Sequence, residues 1–80
     1  MSKCLVTGGA GFMGSHLVDC LVNEHGNDVV VLDDLSGGFR ENVNSQARFV
    51  EGSVTDHELV NSLFEKEQFD YVYHLAAYAA

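Results

Sequence analysis

Apolar residues fall in short blocks along this chain, separated by polar stretches rich in glycine. Cys4-Leu5-Val6 is the first block, and a β-strand is expected over Lys3 to Thr7. From Gly11 to about Glu24, Met13, Leu17, Val18, Leu21 and Val22 recur at the spacing of a helix with one buried face. Gly26 is expected to stop that helix. Val29-Val30-Val31-Leu32 is an unbroken apolar run, so Asp28 to Leu32 reads as a strand buried on both faces of a parallel sheet. Asp33 to Gln46 is polar and glycine-rich, a loop with room for a helical turn. Ala47 to Glu51 reads as a third short strand. Thr55 and Glu58 then form a capping box, in which each side chain satisfies a backbone donor of the other residue. The helix behind that box carries Leu59, Val60, Leu63 and Phe64 on one face. Asp70 to Leu75 is predicted as a fourth strand.

Strands that alternate with helices imply right-handed crossovers and a parallel sheet. The fold class is therefore α/β: a Rossmann-like doubly wound parallel sheet with strand order 3-2-1-4. That order lines up the turn after the first strand, Asp33, and Leu75 to Ala77 along the carboxyl edge of the sheet. They then lie beside the point where strand order reverses, which is where such folds bind ligands.

Thr7-Gly8-Gly9-Ala10-Gly11-Phe12-Met13-Gly14 occupies the first turn. Glycine reaches positive φ and lets other groups approach its backbone. Gly8 would let the chain turn sharply, Gly11 would admit a pyrophosphate against the backbone, and Gly14 would let the helix pack closely. The start of the helix then offers unpaired N–H groups and a positive dipole end to phosphates. Asp33, at the end of the second strand, is placed to accept hydrogen bonds from adenosine ribose hydroxyls. A carboxylate there repels a 2′-phosphate, which favours NAD over NADP; Arg40, seven residues on, is the group that would argue the other way. Strand, glycine turn, helix and acid together point to a dinucleotide. Taken without the glycines, Asp33-Asp34 reads as a solvated turn.

Composition narrows the choice. Four Lys and Arg against twelve Asp and Glu give a formal charge of −8, which argues against nucleic acid and against anionic membrane surfaces. NAD is compatible with that charge, because backbone N–H groups alone hold its phosphates. Eighty residues allow at most one small domain. No apolar stretch is long enough to span a bilayer, and Met1 leads into a strand without a secretory h-region, so a cytoplasmic location is expected. Cys4 and Cys20 lack a C-x-x-C pattern and are read as buried free thiols. His16, His25, His57 and His74 show no metal spacing, and no serine has a partnered histidine and base. The expected sets of catalytic and metal-ligating residues are both empty.

The glycine turn, Asp33-Asp34-Leu35-Ser36-Gly37-Gly38, Phe49-Val50-Glu51-Gly52 and His74-Leu75-Ala76-Ala77 stand in that order along the chain. With these four blocks the chain resembles the extended short-chain dehydrogenase/reductases, specifically the NAD-dependent epimerase/dehydratase family. Within it, the chain is most similar to the N-terminal part of the UDP-glucose 4-epimerases and their relatives. The resemblance implies that Gly8, Gly11, Phe12, Met13 and Gly14 line the pyrophosphate. It implies that Asp33 holds the adenosine ribose, helped by Asp34, Leu35, Ser36, Gly37 and Gly38. Ser53 and Val54 would flank the adenine, and Leu75, Ala76 and Ala77 would pass under the cofactor toward the nicotinamide. Two positions depart from the family pattern. Ser53 stands where an aspartate often accepts from the adenine amino group, and Ala79 stands where some epimerases have a lysine.

The resemblance also implies a chemistry. In the family, a tyrosine activated by a lysine four residues later takes a proton from a sugar hydroxyl while hydride leaves for NAD. The oxidised sugar then epimerises, dehydrates or decarboxylates. Here Tyr71 and Tyr73 are followed four residues later by Leu75 and Ala77, and Tyr78 has no such partner. The expectation is therefore the NAD-binding portion of a longer nucleotide-sugar epimerase or dehydratase, non-catalytic alone. Its full-length form would take a nucleotide-sugar substrate and could pair as a homodimer. Two other readings stay open: a non-catalytic NAD-binding or redox-sensing module, and a fragment of an S-adenosylmethionine-dependent methyltransferase. The acid that methyltransferases tend to place before their glycines is missing from Thr7-Gly8-Gly9.

Overall fold

The computed structural model describes residues 2–24, 26–35 and 38–75. Strand β1 (Lys3–Thr7) leads through the glycine turn into helix α1 (Phe12–Asn23). Strand β2 (Asp28–Asp33) follows, then a single 3₁₀ turn at Arg40–Asn42, strand β3 (Arg48–Glu51), helix α2 (His57–Lys66) and strand β4 (Tyr71–His74). All strand pairs are parallel and the order is β3-β2-β1-β4, as alternation of the elements predicted. The register sets Thr7 beside Leu32 on one side and beside His74 on the other.

Period-two alternation divides the central strands between two cores. Cys4, Val6, Val29 and Val31 face one way and pack with Val18, Leu21 and Val22 of α1, closed by Val43 from the β2–β3 connection. Leu5, Val30 and Leu32 face the other way and pack with Leu63 of α2, with Leu59 and Val60 half-buried beside it. Each fully buried Leu or Val contributes about 1.5–3 kcal/mol of apolar transfer, which is why the unbroken run Val29 to Leu32 forms the centre of the sheet. Burial pushes the Cys4 thiol up from its ordinary range, helped by the charges of Asp70 and Asp28. That thiol is an inert core group. Gly26 ends α1 at φ 65°, with its amide donating to Val22.

Three local expectations are corrected. Met13 is 76% exposed and lies off the buried face of α1; Gly14 takes that place, because the inner side of the first turn lies on the backbone of Gly8 and Gly9. The cap of α2 is Asp56, whose Oδ1 accepts from the Leu59 amide, and not Thr55. Thr55 belongs to the preceding turn, where its amide and hydroxyl both meet Ser53 Oγ. Cys20 is half-buried rather than buried, and its thiol donates to Glu24, which raises the thiol pKa.

Candidate functional site

Gly8 follows β1 with φ 77°, a backbone conformation that side chains disfavour. Its amide donates to Leu32 O at 2.9 Å, which pins the turn to β2, and the Gly11 amide returns to Gly8 O at 3.2 Å. The turn delivers Gly11 as the N-cap of α1, in extended geometry and with no side-chain hydrogen bond to the helix start. The first turn of α1 contains no acidic residue. The amino end of α1 thus faces the carboxyl edge with its amides uncapped by side chains and its dipole end uncompensated, the property that suits a phosphate. A Cβ at Gly14 would run into the Gly8 carbonyl and lie 2.9 Å from Gly9 Cα, so the helix sits directly on the turn.

Asp33 closes β2 and is only 7% exposed. Its Oδ2 accepts from the Ala10 amide at 2.9 Å and its Oδ1 from the Leu35 amide at 2.7 Å. The second of these bonds holds Leu35 at φ 65°, an uncommon conformation for a branched residue that the carboxylate stabilises as an Asx turn. A carboxylate has about four acceptor positions, so two bonds leave capacity for ribose hydroxyls. Asp33 therefore has a role that sequence reasoning did not assign: it joins the glycine turn to the loop after β2. Ala10, wholly buried, is the centre of that junction. Its carbonyl accepts from the Phe39 amide and from Asn42 Nδ2, both at 3.2 Å. Gly38 lies so close that a Cβ there would overlap the same carbonyl.

The remaining residues follow the edge on either side. The Gly52 amide donates to Asp33 O at 3.0 Å, which sets Ser53 and Val54 next to the end of β2. Ser53 Oγ is engaged with Thr55, and Val54 packs against the α2-side core. Beyond β1, the Leu75 amide donates to Thr7 O at 3.0 Å and to Thr7 Oγ1 at 3.1 Å. Thr7 Oγ1 also lies 2.7 Å from His74 Nδ1, and His74 is exposed. Phe12 and Met13 project from the helix start, 78% and 76% exposed. Asp34 is at the surface beside Asp33. An open groove of about 450 Å³ runs beside α1, lined by Phe12, Ser15, His16, Asp19, Gly38, Phe39 and Asn42. Ser36, Gly37, Ala76 and Ala77, together with His25, Tyr78 and Ala79, lie outside the described residues.

The edge thus runs in strand order: Ser53 by β3, Asp33 and Asp34 on β2, the glycine turn on β1, Leu75 on β4. Sequence reasoning missed Ala10, Asn42 and Thr7. Thr7 stands inside the motif it read, but Asn42 gave no signal beyond an asparagine in a polar stretch. Among the described residues no group of three His, Cys, Asp or Glu could hold a metal ion, and no helix is long and apolar enough to cross a membrane.

Comparison with known proteins agrees with this geometry. The NAD dependent epimerase/dehydratase family matches residues 4–80. A UDP-glucose 4-epimerase of Lactobacillus helveticus is 49% identical over 77 residues, which is 96% of this chain and 23% of that protein. The structure of a UDP-glucose 4-epimerase with UDP-glucose from Thermotoga maritima superposes with a TM-score of 0.92 at 50% identity, covering 98% of this chain and 25% of that one. The UDP-glucose 4-epimerase of Thermus thermophilus in complex with NAD gives 0.88 at 44% identity, covering 98% and 25%. The chain spans about a quarter of the length of these relatives.

Proposed function

The chain belongs to the NAD-dependent epimerase/dehydratase family, and from that premise we propose that residues 1–80 are the N-terminal part of an NAD(P)-binding Rossmann domain. In this reading it is the NAD-binding portion of a nucleotide-sugar epimerase or dehydratase. The carrying observation is the junction of the two cofactor-facing loops: Asp33, at the end of β2, hydrogen-bonds the backbone of the glycine turn through Ala10. The chain's own residues fit the group. The amino end of α1, uncapped by side chains, suits the pyrophosphate, with Phe12 and Met13 exposed beside it. Asp33 has acceptor capacity for the adenosine ribose. Ser53 and Val54 border the adenine side, and Leu75 leads toward the nicotinamide side.

NAD, when bound, supplies the acceptor for a hydride from the sugar. This chain binds and orients it; the acid–base group and the sugar-nucleotide site belong to further residues of a longer enzyme, a homodimer in the cytoplasm. The solved Thermus relative in complex with NAD supports the cofactor, and the Thermotoga relative with UDP-glucose supports the substrate class. Fluorescence titration with NADH tests the reading. Binding is expected, NADPH is expected to bind more weakly, and Asp33→Ala is expected to weaken NADH by about 1–3 kcal/mol, from unpaired ribose hydroxyls together with the lost bonds to the Ala10 and Leu35 amides. Unchanged affinity in Asp33→Ala would remove the ribose assignment. S-adenosylmethionine displacing NADH would overturn the reading as a whole.

A further inference from the structure

We propose that Asn42 is a positioning residue for the cofactor, a latch that sets the distance between the ribose-facing loop and the pyrophosphate-facing turn. The inference rests on the NAD reading above and adds a residue to it. Three contacts meet on Ala10. Its amide goes to Asp33 Oδ2, while its carbonyl takes the Phe39 amide and the Asn42 side-chain amide. Asn42 is the only one of these partners that reaches the turn from beyond the loop. It sits at the end of the 3₁₀ turn Arg40–Asn42, whose own bonds, Asn42 N to Phe39 O at 3.0 Å and Val43 N to Arg40 O at 3.2 Å, fix its backbone. Val43 is anchored in the α1-side core. The latch thus runs from the core, through Val43 and Asn42, onto the Ala10 carbonyl. Near this contact lie Leu35, at positive φ, and Gly38, pressed on the Ala10 backbone.

A ligand that bridges two loops gains from the second contact only if the loops are held at the matching separation. A latch of this kind therefore affects bridging ligands and spares those that use one loop. Asn42 is exposed and packs into neither core, so its replacement leaves the fold standing. The side-chain amide N–H is the donor in this contact. Asn42→Ala deletes the donor, and Asn42→Asp puts a carboxylate against a carbonyl, two acceptors with no proton between them.

The test titrates the whole chain with NADH and ADP-ribose, which bridge the ribose-facing loop and the pyrophosphate-facing turn, and with adenosine, which reaches the ribose-facing loop and Ser53 and Val54 but not the turn. Asn42→Ala is expected to weaken NADH and ADP-ribose about 2- to 10-fold, the range for one neutral hydrogen bond, with adenosine unchanged and the melting temperature held. Asn42→Asp is expected to weaken the bridging ligands further, and Asn42→Gln, which keeps the donor, to recover part of the loss. Wild-type binding of NADH matched by Asn42→Ala would overturn the latch and leave the NAD reading intact. An equal loss for adenosine, tracking a lowered melting temperature, would also overturn it, as the mark of a merely structural residue. A wild-type chain that binds none of the three ligands would overturn the NAD reading, and the latch with it.

Discussion

Gly14 shows what a single residue decides here. In an open helix, alanine is favoured over glycine by about 1 kcal/mol. At this position a methyl would overlap the Gly8 carbonyl, and backbone cannot move aside as a side-chain tip can. Gly14→Ala is therefore expected to lower stability by about 1–3 kcal/mol, the usual penalty of overpacking, and to shift the start of α1 away from the turn. Thermal denaturation followed by circular dichroism measures it; a variant as stable as the parent would mean that α1 is not seated on the turn. Gly8, Gly14 and Asp33 were legible in the sequence because each answers a need that few residue types meet: a positive φ, a close backbone approach, an acceptor at a strand end. Asn42 was not legible. Its partner is the Ala10 carbonyl, thirty-two positions away, and a backbone group carries no mark in the sequence of what will bind it. Met13 was misread for a related reason. Its spacing fitted the apolar stripe, but the first turn of α1 faces backbone and has no room for a side chain there.

Elements were easier to read than their ends. The four strands and two helices follow from apolar runs and helical spacing, since a buried strand or an amphipathic helix leaves a pattern many residues long. Boundaries depend on single hydrogen bonds. Asp33 joins β2 by pairing with Glu51, and Ala47 falls out of β3 because its amide goes to Asn44 O. The start of α2 makes the point in energetic form. Thr55 and Asp56 are both good capping types, and sequence favoured Thr55 for its Glu58 partner. In the structure Ser53 takes the Thr55 amide and hydroxyl into a turn, leaving Asp56 to accept from Leu59 at 3.2 Å. Asp56→Ala is expected to cost about 1 kcal/mol, the usual loss of a cap. Thr55→Ala is expected to stay within about 0.5 kcal/mol, as for a surface substitution. Urea titration of the two variants separates the assignments, and the reverse ranking would restore the capping box.

At the scale of the whole molecule, the strand order was legible because doubly wound crossovers admit few arrangements, whereas the clasp at the opposite edge of the sheet was not. There Lys3 of β1 meets Glu67 at 3.0 Å, and Arg48 of β3 reaches Glu67 at 2.9 Å and Asp28 of β2 at 3.2 Å. Two of the chain's four basic residues are thus gathered at the start of the sheet, where they tie three strands to the end of α2. The Arg48 guanidinium, and after it the Lys3 ammonium, lowers the Glu67 carboxyl to about 2. A carboxyl lowered by folding stabilises the fold while it is ionised. Its contribution is full above the ordinary carboxylate range, near 4.5, and is lost as pH falls through about 2. The loss of net negative charge as pH falls from neutrality acts separately, because it relieves the repulsion within a chain of formal charge −8. A single melting curve against pH would mix the two effects, so the comparison that isolates the clasp is wild type against Glu67→Gln. The wild type is expected to be the more stable above pH 5, with the difference shrinking steadily toward pH 2 and shrinking also in high salt, since half-exposed pairs are screened. Curves that stay parallel across that range would show that Glu67 titrates as an ordinary carboxylate and that the edge is held by its backbone pairing alone.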